Sequence, residues 1–199
     1  MLGVFIMPAS LSGITHQKTY IAKGFNPNMT ETREYRSLRD AFGQFATGVT
    51  VVTARDSEGN PIGLTANSFA SVSLDPPLVS WCIDKQSARF ELLAAAEFYT
   101  ISVLTEQQRE LSNLFAMRSW DDNAFNEVQW YEGLNGVPQL PDVGARFHCK
   151  SMYKYPGGDH LIIVGAVEDY EFDSQSPLIF FQGDYQVINA QPLKEESLA

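Results

Sequence analysis

Cysteine, histidine and positive charge are all scarce in this chain. Two cysteines and three histidines occur among 199 residues, and 14 Lys and Arg face 24 Asp and Glu, for a formal net charge of −10 at pH 7. Cys82 and Cys149 each fall inside an expected strand; they read as buried thiols of a reducing compartment rather than a disulfide pair, so the expected location is cytoplasmic. No C-x-x-C and no histidine pair marks a metal, and none is expected. An acidic surplus without a basic patch argues against a nucleic-acid partner. Long apolar runs are also missing. Met1 to Met7 is apolar but short, lacks a basic start and meets Pro8, so it suits neither a signal peptide nor a membrane span. The chain has no G-x-G-x-x-G, no P-loop and no G-x-S-x-G elbow, which removes Rossmann-type dinucleotide binding, P-loop phosphate chemistry and α/β-hydrolase chemistry.

What is present centres on residues 63–81. Gly63-Leu64-Thr65-Ala66-Asn67-Ser68 reads as a polar loop of hydroxyls, an amide and close backbone, suited to line a pocket for a flat, heteroatom-rich ligand. The alternative is a hairpin whose Thr, Asn and Ser satisfy their own turns. Alternation over residues 70–74 predicts a strand; Asp75-Pro76-Pro77 stops it, since proline has no N–H to donate, and residues 78–83 resume as an apolar strand.

Around this stretch the chain alternates short strands with a few helices. Tyr35, Leu38, Phe42 and Phe45 recur at helical spacing and predict an amphipathic helix ending at Gly48. Residues 49–54 are a β-branched strand. Asp84-Lys85-Gln86-Ser87-Ala88-Arg89 lies between a strand and a helix that Ser87 is expected to cap, and Lys85, Ser87 and Arg89 there make a candidate anion seat. An ordinary capped helix with solvated charges is the other reading. Residues 98–104 form a strand, and Thr105 with Gln108 a capping box for a helix carrying Leu111, Leu114 and Phe115 inward. Residues 145–155 alternate and predict one wet face, with Arg146, His148 and Lys150. Residues 161–167 are apolar on both faces and so central, and 178–182 is the last strand. Residues 1–34 read as a loose extension, with Met29 as a candidate translation start, 35–188 as one domain and 189–199 as a polar tail. Strands without regular βαβ alternation predict a mostly β fold: an antiparallel, Greek-key-like barrel with two or three peripheral helices.

Gln44-Phe45-Ala46-Thr47-Gly48-Val49-Thr50-Val51-Val52-Thr53, the 63–69 run and Ser71-Val72-Ser73-Leu74-Asp75-Pro76-Pro77 resemble the flavin reductase-like, FMN-binding split-barrel family. Leu114-Phe115-Ala116, Gly158-Asp159-His160 and Pro177-Leu178-Ile179-Phe180-Phe181 with Gly183 and Tyr185 continue the match in order, from about Tyr35 to Ile188. The nearest type is the small NAD(P)H:flavin oxidoreductase component of two-component monooxygenases. The resemblance implies a homodimer of split barrels with flavin at the subunit interface, an oxygenase partner, FMN with FAD as the alternative, and NADH with NADPH as the alternative.

By the same resemblance Thr65, Ala66, Asn67, Ser68 and Phe69 line the flavin, with Ser71 and Val72 at its edge. Lys85, Ser87 and Arg89 hold its phosphate, and Phe115 and Ala116 close the pocket. Gly158, Asp159, His160 and Tyr185 take the nicotinamide nucleotide, with His160 as positioner. Met117-Arg118 depart from the glycine that commonly follows Phe-Ala. Two other readings stay open: a flavin-holding electron-transfer module, and an oxidase of the pyridoxine-phosphate type.

Overall fold

The computed structural model describes residues 33–116 and 124–188. The chain divides into units 1–37 and 38–199, and of the first only residues 33–37, the start of a helix, are described. The expected extension up to residue 32, the candidate start Met29, the 189–199 tail and Met117-Arg118 lie outside the described residues.

Seven antiparallel strands form the main sheet: β2 (Thr50–Arg55), β3 (Pro61–Ala66), β4 (Ala70–Leu74), β5 (Pro77–Asp84), β6 (Phe98–Val103), β9 (Ala145–Gly157) and β10 (His160–Phe172). Their order is β3-β2-β6-β9-β10-β5-β4. Short strands β1 (Thr47–Gly48), β11 (Ile179–Phe181) and β12 (Asp184–Gln186) make a second sheet, and β7 (Tyr131–Glu132) pairs β8 (Pro138–Gln139). The main sheet is curled. Trp81 of β5 and Tyr99 of β6 stand three places apart in strand order, yet their rings meet edge-on with centroids 5.7 Å apart. Side chains from β2, β3, β5, β6, β9 and β10 share one core with Leu93 of α2 (Phe90–Ala95). This is the expected barrel.

Sequence chemistry accounts for the strand β2. Thr50-Val51-Val52-Thr53-Ala54 is buried throughout, because the strand separates two cores. Val52 and Ala54 face the barrel interior. Val51 joins Val49, Leu104, Phe115, Phe125 and Leu140 in a second core under α3 (Arg109–Ala116) and the 124–143 segment. The expected Thr105–Gln108 bond is present, Gln108 Oε1 accepting from the Thr105 N–H at 3.1 Å, but it closes a turn ahead of α3, which begins at Arg109 rather than after Thr105. β10 lies inside the sheet, between β9 and β5.

Four further expectations need correction. The first helix, α1 (Arg33–Phe42), ends at Phe42 rather than Gly48: Gly43 leaves the helix and its carbonyl accepts from the Gln182 N–H at 2.9 Å. Leu38, Phe42 and Phe45 are exposed, at 52%, 71% and 77%, so the helical apolar spacing covers no core in this chain. Residues 63–66 are strand β3, not loop, paired with β2 from Thr50↔Ala66 to Arg55↔Pro61. Two of the three residues of the expected wet face of β9 are buried, Arg146 and His148 at 4% and 6% exposure, while the Lys150 side chain stays 45% exposed. The 131–142 segment crosses them; the Arg146 guanidinium donates to Leu140 O and pairs with Glu171, while Gln139 meets His148. Strand periodicity says which side chains share a face but not what lies over it.

Candidate functional site

A cleft of ≈ 340 Å³ opens where β3 and β5 face each other without pairing. β3 is an edge strand, so one side of its backbone keeps N–H and C=O groups for a ligand. Residues 64–68 form one wall; Cys82, Asp84 and the 86–89 turn form the other, with Ala116 and His160 at the ends. Ser68 spans the gap: its Oγ accepts from the Cys82 N–H at 2.9 Å and donates to Cys82 O at 3.2 Å. Thr65 Oγ1 donates to Ser112 O at 2.7 Å, so its proton anchors α3 and only its lone pairs remain for a ligand. Asn67 is exposed in the cleft.

The anion seat is built differently from the expectation. Ser87 does not cap α2; Arg89 occupies that position, and Ser87 Oγ accepts the Arg89 N–H at 3.3 Å within the preceding turn. Ser87 and Arg89 both line the cleft, but Lys85 does not. β5 pairs with β10 up to Asp84↔His160, which places Lys85 beside the β9–β10 turn. Its Nζ donates to Gly158 O at 2.6 Å and its N–H to Asp159 O at 3.0 Å.

His160 lines the cleft with Nδ1 2.8 Å from Asp159 Oδ1. That bond holds the Asp159 carboxyl below the usual carboxylate range. Gly158 sits in the turn at φ +64°, a backbone region that favours glycine.

Of the residues expected from sequence, the fold brings Thr65, Ala66, Asn67, Ser68, Ser87, Arg89, Ala116 and His160 together. Others lie elsewhere. Phe69 stacks on Phe147 at 5.4 Å and packs against the barrel core. Ser71 and Val72 are exposed on β4. Phe115 is fully buried behind β3, where a Cβ on Gly63 would lie 2.6 Å from its ring. It walls a separate cavity of ≈ 220 Å³ with Ile62, Leu92 and Phe125 instead of closing the cleft. Tyr185 is bound to α3, its hydroxyl 2.8 Å from Ser112 Oγ and 3.0 Å from Asn113 Oδ1.

Sequence reading missed Cys82 and Asp84 as cleft residues. The signal was there: Val79, Trp81 and Ile83 take the core side of β5, so Cys82 and Asp84 take the other. Burial raises the Cys82 thiol above its ordinary value. Among the described residues no group of three or more His, Cys, Asp or Glu is placed to hold a metal. No helix of the described residues is long and apolar enough to cross a membrane.

The donor set suits a flavin nucleotide. An amide and an open strand edge match the alternating donors and acceptors of a flavin ring, and Ser87 with the Arg89 guanidinium matches a phosphate. The flavin reductase like domain model matches residues 42–189. A trigonelline monooxygenase reductase component of Acinetobacter baylyi is 41% identical over 157 residues, covering 79% of this chain and 50% of that protein. The FMN reductase (NADH) SmoA of Agrobacterium fabrum is 45% identical over 150 residues, 75% of this chain and 84% of that one. The solved NADH:FAD oxidoreductase SgcE6 of Streptomyces globisporus C-1027, in complex with NAD and FAD fragments, superposes with a TM-score of 0.72 at 37% identity, over 77% of this chain and 92% of that chain. The chain spans about half the length of two of the curated relatives it matches, 49% and 50%.

Proposed function

The chain belongs to the flavin reductase like family, and from that premise we propose that it is a flavin reductase that oxidises NADH and passes reduced flavin to an oxygenase. The observation that carries this reading is the convergence of residues 64–68, Ser87, Arg89 and His160 on one cleft. A bound flavin would supply the redox chemistry, with N5 as the acceptor site for the hydride of nicotinamide C4. The chain's own residues bind and orient. Asn67 and the open edge of β3 hold the ring, and Ser87 and Arg89 hold the phosphate end. Ser68 keeps the two cleft walls at fixed spacing through Cys82. His160 positions the nicotinamide nucleotide; no side chain need act as acid or base. Arg89 is the one arginine lining the cleft among the described residues, which supports NADH over a 2′-phosphorylated nucleotide. FMN supplies the phosphate this seat needs, and FAD is the alternative.

The working unit in this reading is a homodimer. Phe42, Phe45, Val72 and Leu74 are exposed at 71%, 77%, 53% and 93%, and a second copy of the chain would cover them. The relatives' names support an oxygenase partner. The test is anaerobic mixing of the full chain with FMN or FAD and NADH: loss of the visible flavin absorbance within seconds is expected. Retained absorbance with tightly held flavin would instead identify an electron-transfer module without nicotinamide turnover.

A further inference from the structure

Lys85 ties the anion-binding turn to the β9–β10 turn that precedes His160. It opens the turn that carries Ser87 and Arg89, yet its main-chain N–H and its ammonium go to a different turn, at Asp159 O and Gly158 O. Those carbonyls belong to the two-residue turn between Gly157 and His160, the innermost pair of the β9–β10 hairpin. A hairpin of that kind closes through its own ladder and requires no cation. Here the Lys85 ammonium takes the Gly158 carbonyl and the Lys85 main-chain N–H takes the next one, Asp159 O, immediately before the histidine that lines the cleft.

Asp159 adds a second constraint on that histidine. Its Oδ1 lies 2.8 Å from His160 Nδ1, and a carboxylate only accepts, so Nδ1 carries the proton. The neutral ring then has its lone pair on Nε2, the nitrogen left for a ligand.

We propose that Lys85 and Asp159 are positioning residues acting through His160: Lys85 locks the 157–160 turn against the anion-binding turn, and Asp159 fixes the ring so that Nε2 meets the cleft as a hydrogen-bond acceptor. The ligand group it takes is an N–H donor. Under the reductase reading, on which this one assignment rests, that donor is the carboxamide of the nicotinamide. The latch also makes the seat for the flavin phosphate and the seat for the nicotinamide mechanically continuous.

The experiment uses the full chain with Lys85→Met, Lys85→Arg and Asp159→Ala. Lys85→Met should raise the KM for NADH about tenfold, equivalent to about 1.4 kcal/mol, while the flavin Kd stays within about twofold. Lys85→Arg, which keeps a donor on the turn, should restore most of the wild-type KM. A tenfold loss of flavin affinity in Lys85→Met with KM unmoved would overturn the proposal and return Lys85 to the flavin phosphate. Two readouts need no turnover. The ¹⁵N spectrum of His160 should show the proton on Nδ1 in the wild type and on Nε2 in Asp159→Ala. Amide exchange at residues 158–160 should quicken in Lys85→Met while β6 keeps its protection. Unchanged tautomer and unchanged exchange would sink the latch, whatever the enzyme assays show. A wild type that leaves NADH untouched would sink the reductase reading alone.

Discussion

Gly165 on β10 and Tyr99 on β6 occupy one space inside the barrel: a Cβ added at Gly165 would lie 2.0 Å from the Tyr99 hydroxyl oxygen and 2.8 Å from its ring carbon. Tyr99 is 1% exposed and packs on Trp81, so it has nowhere to retreat. Gly165→Ala should therefore destabilise the fold by about 1–3 kcal/mol through overpacking. Adding Tyr99→Phe removes the nearest clashing atom, so chemical denaturation of the four variants should give a coupling of at least ~0.5 kcal/mol in the direction of rescue. Strict additivity would mean that the two residues do not compete for the same volume.

Arg89 lines the cleft next to Ser87, where the flavin phosphate is assigned. Arg89→Ala should weaken FMN binding about tenfold or more, since a charge-assisted hydrogen bond is worth roughly 1.5–3 kcal/mol. Riboflavin, which lacks the phosphate, should bind both forms alike. Equal losses for the two ligands, measured by fluorescence titration, would place the phosphate elsewhere.

His148 is buried between Thr100 and Gln139, 3.1 Å and 3.0 Å from its two ring nitrogens. An amide nitrogen only donates, so Nε2 accepts from Gln139 and the proton lies on Nδ1, toward Thr100. Burial and then the Arg146 charge hold the ring below its ordinary value of 6.5, with Asp169 opposing. The unfolded chain thus takes up a proton before the folded one does. Stability from this group is present in full above about pH 6.5 and is lost as the pH falls toward the lowered folded value. His148→Gln should flatten the dependence of denaturation midpoint on pH between 7 and 5. An unaltered slope would assign that dependence to other groups.

Leu74 is 93% exposed at the end of the edge strand β4, and Val72 on the same strand is 53% exposed. Under the proposed homodimer, Leu74→Asp should leave the monomer fold intact and shift sedimentation at micromolar concentration from dimer to monomer. A change of about tenfold in the dimer constant corresponds to ~1.4 kcal/mol. Wild-type chain that is monomeric at every concentration would remove the dimer from the proposed function.

Much of the fold was legible because local patterns report local structure. The alternation at 70–74, the apolar run at 78–83 and the β-branched run at 50–54 each form strands where the residues placed them. Several of the expected site residues lie outside this cleft for one common reason. Phe115 and Ala116 are neighbours on α3, yet the helical turn sends Phe115 into the second core and leaves Ala116 on the cleft. Lys85 and Ser87 share one turn, yet the pairing Asp84↔His160 draws the lysine to the β9–β10 turn. A motif names residue types in order; it does not say which way each side chain leaves the backbone.

The sequence by itself determined the class of fold, the family resemblance and the chemical inventory of the cleft, because strand periods, turn residues and hydrogen-bonding groups are written in the order of the chain. Tertiary structure alone decided that Arg146 and His148 are covered, that Lys85 binds a turn and not the cleft, and that the non-core side of β5 is a cleft wall. Each of these depends on a segment distant in sequence packing over or beside the residue, and such long-range contacts are fixed only when the sheet curls and brings β3 opposite β5.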